Sequence, residues 1–143
     1  MKVCKFGGSS LADAKQLNKV IDIVLSDPAR RIVVVSAPGK RYSGDTKVTD
    51  LLIDLAETAI KGENTDRQYG AVIERYAEMA SELRLGEEII REIEMDVLDR
   101  IAQVAVLENA EFMDLMKAAG EDNNAKLVAE AFKARGKIGR AHV

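Results

Sequence analysis

Lys5-Phe6-Gly7-Gly8-Ser9-Ser10 decides how this chain begins to fold: a cation, a glycine pair and two hydroxyls stand where a strand must turn into a helix. Val3, Lys5 and their neighbours read as a short extended segment. From Leu11 onward the apolar residues Ala14, Leu17, Val20, Ile21, Val24 and Leu25 recur at spacings of three and four, the stripe of an amphipathic helix. Glycines at the turn let backbone approach an anion closely, because no Cβ intervenes. The N–H groups and dipole of a following helix then favour negative charge. Lys5 adds a point charge at the strand end, so a phosphate is the natural guest. The segment is not the nucleotide-binding P-loop, because here the lysine precedes the glycines. A plain βα turn with a solvated lysine is the competing reading, and local chemistry leaves both open.

Moving outward, Asp27-Pro28 breaks the first helix, and Arg31-Ile32-Val33-Val34-Val35-Ser36 follows. That β-branched run, closed by Ala37-Pro38-Gly39, predicts an inner strand buried on both faces. Strand, helix and strand make a βαβ unit with parallel strands. Ser36 then falls at the carboxyl end of the second strand, the edge where open parallel sheets bind ligands. Residues 37 to 46 form a polar loop carrying Lys40, Arg41, Ser43, Gly44, Asp45 and Thr46. Lys40, Arg41 and Lys47 read as solvated loop cations rather than phosphate contacts.

Three more helical stripes follow. Val48, Leu51, Leu52, Leu55 and Ala59 mark one; Tyr69, Val72, Ile73, Tyr76, Ala80 and Leu83 mark the next, ending near Leu85-Gly86. Ile90, Ile93, Val97, Ile101 and Val104 mark a third, opened by Glu87 and Glu88 where acids suit the helix dipole. With no strand between them, the last two read as a helical pair, about residues 64 to 108, added to an α/β core. A final helical stretch from about Ala110 to Arg135 is expected to be interrupted at Gly120. Lys137 to Val143 would begin a third strand. So few strands carrying five helices are lopsided, which suggests the front part of a larger α/β domain.

Composition narrows the class. The chain has 143 residues, 47% apolar and 31% charged, enough for one globular unit with a core. A net charge of -3, with scattered basic residues, argues against nucleic acid as the main partner. No apolar run approaches a membrane span, and no signal-peptide core follows Met1, so a cytoplasmic protein is expected. Cys4, the one cysteine, reads as a small buried hydrophobe, and the tyrosines and methionines at helical spacing as core. His142 carries no catalytic role.

Taken together, Lys5-Phe6-Gly7-Gly8-Ser9-Ser10-Leu11-Ala12-Asp13 closely resembles the opening of the aspartokinases, members of the amino-acid kinase superfamily. Val34-Val35-Ser36-Ala37, Lys47-Val48-Thr49-Asp50-Leu51-Leu52 and Gly120-Glu121 with Asn124-Ala125-Lys126-Leu127 match in the same order. The resemblance covers the whole chain. It implies a three-layer α/β/α fold with an open, mainly parallel sheet, here cut short and carrying the helical pair. It also implies ATP-dependent phosphorylation of the side-chain carboxylate of L-aspartate to 4-phospho-L-aspartate, the first step towards lysine, threonine and methionine. Transfer would be direct and in line, so catalysis would consist of positioning and charge neutralisation. The cofactor would be ATP with Mg, and no metal ligand is assigned to this chain.

By the same resemblance, Lys5 is the catalytic cation on the moving phosphoryl group. Gly7 and Gly8 turn their N–H groups to the phosphates beside the hydroxyls of Ser9 and Ser10. Ser36 and Thr49 hold the aspartate, and Glu121 pairs with its ammonium. Each has a plain alternative: a snorkelling strand lysine for Lys5, a strand-end hydroxyl for Ser36, a helix cap for Thr49 or Thr46, a first-turn acid for Glu121. The chain departs from the family at Ala118, where a serine is usual. It also lacks the C-terminal half that supplies the adenine and ribose pocket, and the ACT regulatory modules that follow. The 143 residues alone are therefore expected to be inactive and to form a homo-oligomer. A non-catalytic binding or assembly module, or another carboxylate-phosphorylating amino-acid kinase, is the alternative.

Overall fold

The computed structural model of the protein describes residues 1–136. Two strands and five α-helices follow one another within them: β1 (Lys2–Phe6), α1 (Ala14–Leu25), β2 (Arg30–Val35), α2 (Val48–Ile60), α3 (Asp66–Glu82), α4 (Glu87–Ala102) and α5 (Asn109–Ala134). The expected βαβ unit is present. β1 and β2 pair in parallel, Val3 opposite Ile32 and Phe6 opposite Val35, with an irregularity between Lys2 and Val3. The third strand expected from Lys137 lies outside the described residues.

The core sits between the helices and one face of the sheet. Leu17 and Ile21 of α1, Leu52 and Leu55 of α2, Tyr76 of α3, Ile93 of α4, and Phe112, Met116 and Leu127 of α5 are all fully buried, and Phe6, Val33 and Val35 pack against them. Strand alternation sends Val3, Ile32 and Val34 to the opposite face, where they are 63%, 44% and 45% exposed. β2 is therefore not buried on both faces as its apolar run predicted. One helical layer covers the sheet among the described residues, so β2 behaves as a strand with one open face, and the three-layer arrangement is not seen. Cys4 is only half-buried.

Two local expectations are corrected. α5 runs unbroken through Gly120. A glycine inside a helix costs only about 1 kcal/mol, and packing on both sides of it decides otherwise. The turn between α3 and α4 comes slightly earlier than expected, with Arg84 in the left-handed region at φ 57°, and the Leu85 N–H reaches back to the Ala80 carbonyl at 2.9 Å. α4 does open on Glu87 and Glu88. Tyr76, Met79 and Met116 are core, whereas Met95 is exposed.

Candidate functional site

The site is built at the carboxyl ends of the two strands. Ser36 N–H donates to the Phe6 carbonyl at 3.3 Å, which holds the strand ends together one residue beyond the last pair. Gly7 leaves β1 in extended backbone, and Gly8–Leu11 close a single 3-10 turn in which Ser10 N–H donates to the Gly7 carbonyl at 3.1 Å. α1 begins only at Ala14, and the Asp13 carboxylate caps it by accepting from Gln16 N–H at 2.9 Å. The start of α1 thus holds an internal anion. After the glycine pair comes the 3-10 turn, whose opening N–H groups have no acceptor inside the turn.

The loop after β2 is stacked onto this turn. Gly39 N–H donates to the Gly8 carbonyl at 2.8 Å, and a Cβ on Gly39 would stand 2.6 Å from the Gly8 carbonyl carbon. A Cβ on Gly8 would meet the Ala37 oxygen at 3.0 Å. From there Val48 N–H donates to the Pro38 carbonyl at 3.0 Å, joining the loop to α2. α5 closes the assembly. A Cβ on Gly120 would stand 2.8 Å from Ala37 Cβ and 3.6 Å from Val48 Cγ1, and the buried Asn124 amide donates to the Ser36 carbonyl at 2.7 Å. The Gly120 carbonyl also accepts from the Tyr76 hydroxyl at 2.7 Å, which ties α3 to the same point.

The predicted residues are distributed over these segments. Lys5 is the penultimate residue of β1, exposed on the open face beside Val34, and makes no ion pair among the described residues. Gly7 and Ser9 are exposed, Gly8 and Ser10 half-buried. Ser36 is half-buried at the end of β2. Thr49 is the second residue of α2 and half-buried; Lys47 holds the cap position, so neither Thr49 nor Thr46 caps the helix. Glu121 stands exposed in the middle of α5, not in a first turn. The structure packs the main chain beside Gly8, Ser36, Thr49 and Glu121 into one unit.

Several residues of this unit escaped the sequence reading, and Arg41, expected to be a solvated loop cation, is instead paired with Asp45 and Glu78. Arg75 of α3 is 4% exposed, and its guanidinium donates to the carbonyls of Thr46 at 2.7 Å, Gly39 at 2.7 Å and Ala12 at 3.1 Å. Its signal was a charge inside the stripe between Val72 and Tyr76. Asp45 accepts from Arg41 Nε at 2.7 Å and Nη2 at 3.0 Å, and lies 3.6 Å from Arg75. The Arg41 hydrogen bonds hold the Asp45 carboxyl well below the usual carboxylate range and raise the Arg41 guanidinium in turn. Burial pushes the Arg75 guanidinium down, with Arg41 adding to it and Asp45 opposing. A cavity of about 210 Å³ opens beside this cluster, lined among others by Arg41, Asp45, Thr46 and Arg75. Gly39 gave no signal beyond an ordinary Pro-Gly turn. Among the described residues no cluster of His, Cys, Asp or Glu is arranged to hold a metal ion, and no helix is long and apolar enough to cross a membrane.

Comparison with known proteins shows what the chain as a whole is similar to. The sequence model described as "Amino acid kinase family" matches residues 1–141. The chain is 52% identical over 136 residues to aspartokinase 3 of Bacillus subtilis, covering 95% of this chain and 30% of that protein. Among solved structures, aspartate kinase of Clostridium acetobutylicum superposes with a TM-score of 0.80 at 34% identity, covering 92% of this chain and 29% of that one. Escherichia coli aspartokinase III, solved in complex with aspartate and ADP, gives 0.74 at 30% identity, covering 94% and 29%. The chain thus spans about a third of the length of these relatives.

Proposed function

The chain belongs to the amino acid kinase family, and from that premise we propose that it carries the phosphoryl-transfer turn and the amino-acid pocket of an aspartate kinase. The relatives it matches bear that name, and one of them was solved with aspartate and ADP bound. The reaction is the ATP-dependent transfer of a phosphoryl group to the side-chain carboxylate of L-aspartate, at the head of lysine, threonine and methionine synthesis. A cytoplasmic location goes with that reading.

The observation that carries it is the packing of four segments at one sheet edge: the turn at Gly8, the end of β2 at Ser36, the start of α2 at Val48 and α5 at Gly120. Phosphoryl transfer needs positioned donors and a cation more than a nucleophile. The N–H groups at Gly7 and Gly8, with the hydroxyls of Ser9 and Ser10, face the phosphates. Lys5 offsets charge on the moving group. Ser36 and Thr49 donate to the carboxylates of aspartate, and Glu121 accepts from its ammonium. The Mg that accompanies ATP would enter with the nucleotide, since this chain offers no donor cluster for it among the described residues. No residue of this chain is assigned to adenine or ribose, and binding of aspartate is the step proposed for it.

Calorimetric titration of L-aspartate tests this. Wild type should give saturable heat, and Glu121→Ala should weaken binding by on the order of tenfold or more, the loss of a charged hydrogen bond. Glu121 is exposed, so the variant should fold normally. Identical titrations of the two proteins would refute the role of Glu121, and no heat with wild type would refute the pocket. A coupled ADP-release assay with aspartate and Mg-ATP separates the readings further, since measurable turnover would show that the nucleotide site is complete here.

A further inference from the structure

The candidate site is assembled from segments far apart in sequence, and one side chain reaches three of them. Arg75 donates to the carbonyls of Ala12, Gly39 and Thr46, which lie 63, 36 and 29 residues away along the chain. Ala12 directly follows the 3-10 turn Gly8–Leu11, Gly39 is the residue stacked on Gly8, and Thr46 lies three residues before Thr49. These carbonyls belong to loop or turn backbone, which has no ladder of its own to fix it. A guanidinium presents five N–H groups in a rigid plane, so it can hold several acceptors in a fixed mutual geometry, which a lysine ammonium cannot. Asp45 stands 3.6 Å from Arg75 and supplies countercharge, while Arg41 anchors Asp45 and reaches Glu78 of α3 at 2.9 Å.

We propose that Arg75 is the positioning residue of the site: it locks the phosphate-facing turn, the loop after β2 and the approach to α2 into one rigid unit, and makes α3 a structural part of the pocket. The idea rests on the functional reading for its consequence, though its geometric core stands apart from it. Arg75 touches no reacting atom. It acts through the three carbonyls, so its removal should loosen the turn and the aspartate-holding residues together, without a general loss of order.

The test uses the 143-residue chain with Arg75→Met and Arg75→Lys, read by amide hydrogen exchange and by calorimetry with L-aspartate. The reporters are Ser10 N–H, Gly39 N–H and Val48 N–H, bonded to Gly7, Gly8 and Pro38 respectively, with Phe112 N–H at the start of α5 as reference. In Arg75→Met all three reporters should exchange on the order of tenfold faster, Phe112 should keep its wild-type rate, and Arg75→Lys should fall between. Aspartate affinity should weaken in the same order. Unchanged reporters, a uniform rise that includes Phe112, or loosened reporters with undiminished aspartate affinity would each overturn the proposal. Should Arg75→Met fail to fold, Arg75→Lys decides by the same criteria. If wild type takes up no aspartate the functional reading falls, while the exchange pattern still settles whether Arg75 holds the three segments together.

Discussion

Two glycines carry the closest approaches in the site, and the physics of a single methyl group separates them. At Gly39 an added Cβ would lie 2.6 to 2.8 Å from the backbone of Gly8 and Ser9, atoms that cannot rotate away. Gly39→Ala should therefore cost about 1–3 kcal/mol, the usual range for overpacking, and disturb the turn it presses on. At Gly120 the nearest atom is Ala37 Cβ at 2.8 Å, with Leu52 Cδ1 at 3.3 Å able to shift. There the clash is partly offset by the gain of about 1 kcal/mol when alanine replaces glycine in a helix. Gly120→Ala should thus destabilise less than Gly39→Ala in urea unfolding, with both m-values unchanged. The reverse order would mean that the loop after β2 yields and the α2–α5 contact does not. The same contrast explains what the sequence concealed. Gly120 was legible as an oddity within a helical stripe, but a breaker and a contact glycine look alike until Ala37 is seen pressing on it.

Among the elements, those with a repeating signal were readable: α1, α2 and the α3–α4 pair follow apolar stripes, and β1 and β2 pair in parallel as a βαβ unit should. The loop between β2 and α2 had no period to read, and its order comes from charges meeting across the fold. Arg41 grips Asp45 within the loop and Glu78 on α3, and Arg75 reaches in from α3. Acid should therefore release this loop. The folded pKa of Asp45 lies below its unfolded value of about 3.9, so its contribution is full above that pH and is lost as pH falls towards the folded value. Unfolding free energy measured between about pH 2 and pH 5 should drop more steeply for wild type than for Asp45→Asn. Parallel curves would show that the carboxylate gains nothing from folding. Arg75 itself, lying among apolar residues at helical spacing, was the one charge in a stripe that should have been heard as a signal.

The whole molecule presents one problem that no single element solves. Among the described residues the sheet has two strands and is packed on one side, and Val3, Ile32 and Val34 lie exposed on the other beside Lys5. A two-stranded sheet with an open apolar face is marginal in water, and both the face and the strand edges invite pairing. Self-association is the outcome expected for the 143-residue chain in isolation, since a second copy offers the same β-branched surface. Sedimentation velocity should then show a concentration-dependent shift above the monomer, and the double change Ile32→Lys, Val34→Lys should abolish it, because charges on that face repel and resist burial. Lys5 shares the face, so association and phosphate access are in competition: dimerisation through this surface should weaken as tripolyphosphate is added, whereas dimerisation through any helical face should not respond. A wild-type chain that sediments as one monomeric species at every concentration would remove the open face as an interface and leave Lys5 free for its anion in the monomer.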